Sequence, residues 1–386
     1  MRVLAGLVLF AASAAVAASP VGFREHLAAS DLKSGYQVTV VDLDRDGDLD
    51  LIALASGMSE LVWFENPGWK RHVLSTGRSR MINLAACGED EEGFPVIVLA
   101  EGFSNVASKS PGTILVLERQ AETTEVWRAA EIDRLPTSHR LRCADFDGSG
   151  RSVYVNAPLT GAGAVAPDYR EPVPLVYYRP GIWKRELIGD ENQGVMHGIH
   201  IFDWNGDGRD DVLTASFSGI HVYSLDRAGE WSRAGIANGD PSPWPKSGAS
   251  DVTVGQTEGA RFIAAIEPWH GNQVAVYTKE DGNWRRNVIE DSFVNGHTVA
   301  AADLNGDGRD EIIAGYRGPG QSVFIYYASS PRARTWTRHD LDRGGMSAAS
   351  CAVAQLIGDP RPDIVCIGSA TANLKVYENL GLAAPK

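Results

Sequence analysis

Short apolar runs alternate with tight polar turns along this chain, and the alternation repeats. Leu51-Ile52-Ala53-Leu54, Val212-Leu213-Thr214-Ala215 and Ile312-Ile313-Ala314 are typical runs. Brief β-branched and aromatic stretches bounded by Gly, Pro and Asp predict strands. Three intervening turns carry nearly one sequence: Asp42-Leu43-Asp44-Arg45-Asp46-Gly47, Asp203-Trp204-Asn205-Gly206-Asp207-Gly208 and Asp303-Leu304-Asn305-Gly306-Asp307-Gly308. Self-similarity at a period near fifty residues implies stacked modules.

Alignment on the first residue of that turn gives seven units, anchored at Asp42, Cys87, Asp145, Asp203, Thr253, Asp303 and Gln355. Each unit has an apolar strand entering the turn and another leaving it. A third run carries aromatics, as in Val62-Trp63-Phe64 and Phe324-Ile325-Tyr326, and a fourth begins near Trp69, Trp127, Trp183, Trp231, Trp284 or Trp336. Four strands per repeat, arranged radially, describe a propeller blade. The seventh unit lacks its fourth strand, but Gly22-Phe23-Arg24-Glu25-His26-Leu27 matches Gly68-Trp69-Lys70-Arg71-His72-Val73. The expected fold is therefore an all-β, seven-bladed β-propeller whose N-terminal strand closes the last blade. It forms a single domain over residues 19–386, and the Gly/Pro/Ala-rich stretch 158–173 is a loop.

Residues 1–18 read as a signal peptide: Arg2, an apolar run from Val3 to Val16, then small residues. The run is short for a membrane span, and no other candidate span follows, so a secreted or periplasmic protein is expected. Cys87, Cys143, Cys351 and Cys366 permit disulfides after export, but all four fall on predicted strands, where buried free thiols are at least as common an outcome. The net charge of -13 argues against a nucleic-acid partner and suits cation binding.

Alternating carboxylates in a tight, Gly-containing turn aim several oxygens at one point, as Ca²⁺ requires. The first loop offers Asp42, Asp44, Asp46 and Asp50, with the carbonyl of Asp48. The fourth offers Asp203, Asn205, Asp207 and Asp211, with Arg209 at the Asp48 position. The sixth offers Asp303, Asn305, Asp307 and Glu311, with Arg309 there. A structural role for calcium, tying one turn per blade, is expected.

These repeats resemble the FG-GAP/VCBS family of calcium-binding propeller repeats. More narrowly, Glu65-Asn66-Pro67-Gly68-Trp69-Lys70-Arg71-His72, Glu267-Pro268-Trp269-His270-Gly271-Asn272 and Asn295-Gly296-His297 resemble the propeller part of the aldos-2-ulose dehydratases. That resemblance implies a metal-containing lyase acting on keto-sugars, although the chain has no room for the further β-domains of those enzymes.

The residues themselves place candidate chemistry at the hub. His139, His197 and His297 each lie six positions before their anchor, at the start of an innermost strand, with Tyr36 at the same position of the first unit. Converging imidazoles suit Zn²⁺ or another divalent metal, and three ligands with an open position make a catalytic arrangement. Loops on that face add Glu267 and Trp269 as sugar-binding groups, and His270, Tyr316 and Arg317, with Tyr36, as the catalytic set. His200 has the opposite strand parity to His197 and is expected between blades. The expected function is metal-assisted removal of a proton beside the carbonyl of a small carbohydrate. The alternative is a non-catalytic module that binds a glycan or a protein partner.

Overall fold

The computed structural model describes residues 20–330 and 332–383; the expected signal peptide lies outside them. Among the described residues there are seven four-stranded antiparallel sheets, one 3-10 turn at Ala107–Lys109 and no α-helix. Six sheets are built from consecutive strands, innermost first; blade three, for example, runs Ser138–Ala144, Val153–Pro158, Pro172–Tyr178 and Glu186–Gln193. The seventh joins Ala348–Ala354, Asp363–Gly368 and Leu374–Leu382 to the N-terminal strand Val21–Ala29, with Phe23 opposite Asn379. The seven-bladed propeller and its closure by the N-terminal strand are both present.

The core lies between blades. One apolar cluster joins Ile52 and Trp63 of blade one to Leu84 and Leu99 of blade two, and another joins Ile367 and Val376 of blade seven to Val38 and Phe64 of blade one. Second strands such as Asp211–Ser216 and Asp363–Gly368 are therefore buried on both faces, which is why they read as continuous apolar runs. Two asparagines tie neighbouring blades: Asn66 Nδ2 donates to Leu356 O at 2.8 Å and Asn379 Nδ2 donates to Leu304 O at 2.8 Å.

The four cysteines, left open by the sequence between free thiols and bridges, are all paired. Cys87 and Cys143 form a disulfide between the innermost strands of blades two and three, and Cys351 pairs with Cys366 across two strands of blade seven. The stretch after Pro158 is a loop, but a packed one: Leu159, Ala164 and Tyr169 bury themselves against Val195 and Phe217.

Candidate functional site

Five innermost strands share one irregularity. Their pairing with the second strand slips at Tyr36, His139, His197, His297 and Ala349. An extra residue at a bulge is left out of the ladder and its side chain is re-aimed. Here the re-aiming turns three imidazoles and a phenol to the axis. The His139 and His197 rings lie 4.7 Å apart and those of His197 and His297 5.0 Å apart, and Tyr36 meets His297 edge-on at 5.3 Å.

A fourth imidazole comes from a loop. His270 follows the strand Ala260–Glu267, holds a left-handed backbone with φ of 49°, and is anchored by its N–H donating to Ser250 Oγ at 3.3 Å. That conformation costs a non-glycine residue roughly 1–2 kcal/mol, which the packed surroundings must offset. It brings His270 Nε2 to 3.1 Å from His197 Nε2.

The tautomers follow from the backbone. His297 Nδ1–H donates to Ala349 O at 2.6 Å and His197 Nδ1–H donates to Ser250 O at 3.2 Å. Both Nε2 lone pairs therefore face inward, and His297 Nε2 is buried without a partner. Nitrogens of His197, His270 and His297 lie within 4.8 Å of one another. Two nitrogens on one tetrahedral zinc stand about 3.3 Å apart. The donor set and the orphaned Nε2 fit such an ion. This triad replaces the one expected from the register. His139 is outside it: its Nε2 is 2.7 Å from Tyr36 Oη and 3.3 Å from Arg140 Nη1. His270, expected as a base, is inside it.

Burial, and then the nearby arginine charges, hold the imidazoles of His139, His197 and His297 well below the usual histidine range. Burial followed by Arg317 pushes His270 down to about 3. All four are neutral at physiological pH and available as ligands or bases. Arg317 Nη2 sits 3.4 Å from His270 Nε2 and donates to Asn295 Oδ1 at 3.1 Å. Arg140 Nη1 donates to Tyr36 Oη at 3.3 Å. Arg140 and Arg142 follow His139 on one strand, and their alternation on the channel side was the available sequence signal for a cationic wall.

Three expected residues stand elsewhere. Glu267 is fully buried, bonded to Tyr277 Oη and to Arg286 Nε at 2.7 Å, so it braces blade five and does not reach a ligand. Tyr316 donates to Gly320 O at 2.6 Å and packs on Phe293, which removes it as a base. His200 lines the axial cavity with Arg142 and Asp251 and does not lie between blades. Trp269 does stand at the site, its ring 4.9 Å from His270, in an aromatic group with Tyr169 and Phe217.

On the opposite face the acidic loops differ among themselves. In the first, oxygens of Asp42, Asp44 and Asp50 lie within 4.8 Å, and Asp42 Oδ1 is buried without a partner, so a hard cation fits there. Burial raises Asp50 to about 7 despite N–H donors from Asn66 and Leu43. In the fourth and sixth loops, both oxygens of Asp203 and Asp303 accept backbone N–H groups, while Arg209 and Arg309 hold Asp207 and Asp307 at 2.5 and 2.6 Å. There an arginine stands where the first loop has Asp48, and it meets part of the charge that a cation would meet in the first. Asp211 and Glu311 each take the role of Asp50, accepting the N–H of Trp204 and Leu304 at 2.9 Å.

Comparison with known proteins agrees with this architecture. The family model for the aldos-2-ulose dehydratase β-propeller domain matches residues 111–280, and that for the FG-GAP repeat matches residues 295–326. The chain is 27% identical over 276 residues to aldos-2-ulose dehydratase of Phanerodontia chrysosporium, across 64% of this chain and 29% of that protein. It is 24% identical over 305 residues to cartilage acidic protein 1 of Mus musculus, across 74% of this chain and 40% of that protein. The chain thus spans well under half the length of these curated relatives. Among solved structures, the exotype rhamnogalacturonan lyase YesX superposes with a TM-score of 0.50 at 13% identity, over 95% of this chain and 76% of that one. The resemblance to FG-GAP propellers, and to the propeller of aldos-2-ulose dehydratase in particular, is established.

Proposed function

We propose that the chain is an exported, calcium-stabilised propeller that acts as a metal-assisted carbon–oxygen lyase on a keto-sugar at the hub. The observation that carries this reading is the convergence of His197, His270 and His297, the first and last with inward lone pairs, beside a hydrogen-bonded Tyr36–His139 pair. A divalent metal held by the three imidazoles would supply a Lewis acid for the substrate carbonyl. The chain's own residues do the rest. Tyr36 Oη takes the proton beside the carbonyl as its own proton passes to His139 Nε2; the C–O bond at the next carbon then breaks, and the proton held by the Tyr36–His139 pair is returned to the departing hydroxyl, which leaves as water. Arg140 steadies the phenol oxygen at 3.3 Å. Arg317, beside His270, meets developing negative charge on the sugar, and the Trp269 face packs on the ring.

The kinship with a dehydratase and the carbohydrate-lyase fold likeness support a sugar as the partner, and the two disulfides support export. The fit of Asp42, Asp44 and Asp50 supports structural Ca²⁺ in the first loop. The test is elemental analysis of purified protein and of His297→Ala, with an enone-absorbance screen of keto-sugars. A transition metal that is lost with His297, together with a rise in absorbance, is the expected result. Calcium alone, unchanged by the substitution, would favour the non-catalytic binding module.

A further inference from the structure

We infer that the hub recognises a carboxylate on its ligand; within the lyase reading, on which this step rests, the substrate is a keto-sugar acid and not a neutral keto-sugar. The inference stands on positive charge in excess of its carboxylate partners. Several half-buried arginines elsewhere have a carboxylate of their own: Arg78 with Glu101, Arg185 with Asp133, Arg286 with Glu267. Among the described residues, Arg140, Arg142 and Arg317 have no carboxylate within ion-pair distance, yet Arg140 and Arg142 line the axial cavity and Arg317 stands beside His270, in a chain whose net charge is -13. Among the described residues, only Asp251 brings a carboxylate to this cavity; its charge acts on Arg140 and Arg142 from beyond ion-pair distance, so one carboxylate stands against two arginines.

Neutral acceptors hold these arginines only in part: Arg142 Nη1 donates to Asn83 Oδ1 at 3.1 Å and to Leu141 O at 2.8 Å, and Arg317 Nη2 donates to Asn295 Oδ1 at 3.1 Å. Arg140 is 5% exposed, and its hydrogen bonds all leave from Nη1, to Tyr36 Oη, His139 Nε2 and His139 O. Its Nε and Nη2 edge has no protein acceptor. Arg317 Nε is buried without a partner. Burying a guanidinium unpaired costs several kcal/mol, so such a cluster is stable only if an anion or trapped water completes it. Burial lowers Arg142 to about 10, which still leaves it charged at neutral pH.

Position selects the anion. Arg140 and Arg317 approach the imidazole cluster from different sides, one at His139 and the other at His270. Beside His270 stands the aromatic wall of Trp269, Tyr169 and Phe217. An apolar platform next to free guanidinium edges suits a sugar ring carrying a planar carboxylate, which a guanidinium grips through two parallel hydrogen bonds.

Calorimetric titration of the full-length protein with 2-keto-D-gluconate, D-fructose and D-fructose 6-phosphate tests this. The acid should bind at least ~10-fold more tightly than D-fructose, the ratio expected for one charge-assisted contact of about 1.4 kcal/mol or more. Arg140→Met should abolish that preference. It should also raise the melting temperature of the ligand-free protein, since an unpaired buried charge is removed; a purely structural arginine would give a fall. Equal binding of acid and fructose overturns the inference, as does tighter binding of the phosphate, or displacement of the acid by chloride at equal concentration. If a neutral keto-sugar is dehydrated while the acid shows no preference, the inference fails and the lyase reading stands. If the acid binds through Arg140 and no keto-sugar is dehydrated, the inference stands and the lyase reading fails.

Discussion

Replacing Asn379 by alanine cuts the ring at its seam. Asn379 is 1% exposed. Its Nδ2 donates to Leu304 O of blade six at 2.8 Å and to Pro362 O at 3.0 Å, and its Oδ1 accepts the Gly381 N–H at 2.9 Å. Alanine fills none of these roles. Leu304 O and Pro362 O lose their donor in a place that water reaches poorly. Each stranded buried group costs about 1–3 kcal/mol, so a loss of about 3 kcal/mol is expected for the pair after partial relaxation. With an m-value on the order of 4 kcal/mol/M for a chain of this size, the urea midpoint should fall by roughly 0.7 M with the slope unchanged. Asn66→Ala is the matched companion: it holds Leu356 O and Leu49 O at 2.8 and 3.2 Å on the other flank of blade seven, against blade one. Similar losses in both variants mean that the closing blade is held equally on its two flanks. A midpoint shift under about 0.1 M for Asn379→Ala would refute the reasoning, because the two buried carbonyls would then have found other donors.

Three further outcomes are expected. Replacing Cys87 and Cys143 by serine opens a bridge across a separation of 56 residues and should cost about 4 kcal/mol, against about 3 kcal/mol for the 15-residue bridge of Cys351 and Cys366; denaturant midpoints of the two double variants check the order. Burial, then Arg142, pushes His200 down to about 4, whereas in the unfolded chain it titrates near 6.5. The unfolded state therefore binds the proton first, and stability present above pH 6.5 is lost as pH falls towards 4, by about 3 kcal/mol from this group. Melting curves across that range should flatten in His200→Asn. Finally, a calcium chelator should lower the melting temperature of the wild type but not of Asp42→Ala, whereas Asp207→Ala should keep the response, because Arg209 already holds that carboxylate. Loss of the response in Asp207→Ala would return the fourth loop to the calcium sites.

The blades were legible because each is specified locally. An acidic or glycine turn and an apolar run recur from unit to unit, an outer-strand tryptophan recurs in six of the seven, and the match of Phe23 to Trp69 revealed the closing strand. The hub was legible only to the point where strand parity broke. His139, His197 and His297 sit at bulges, and a bulge shifts the facing of every later residue by one. That shift moves His200 from the expected blade interface into the channel. Glu267 and Tyr316 were expected on rim loops, but their strands continue through both residues, so their side chains turn into the packed interior. His270 was visible as a rim histidine. Its place among the metal-capable imidazoles depends on a left-handed backbone that periodicity does not encode. The Cys87–Cys143 bridge depends on which inner strands are neighbours, and the repeat alignment supplied that order without the side-chain directions.

The two faces of the ring answer different electrostatic problems. At the acidic turns, repulsion among carboxylates is met within each loop. Backbone N–H groups meet part of it, Arg209 and Arg309 meet more in the fourth and sixth loops, and the first loop leaves Asp42 Oδ1 open to a cation. Such charges are neutralised where they stand, so they fasten turns and can vary from blade to blade without disturbing the fold. At the hub the arginines outnumber the one nearby carboxylate, Asp251, around imidazoles that burial keeps neutral. Folding alone gains little from that arrangement; the same volume filled by apolar side chains would be at least as stable. Under the proposed function the excess charge is accounted for by what the hub binds, and the hub would be the place in this propeller where chemistry, and not assembly, fixes the residues.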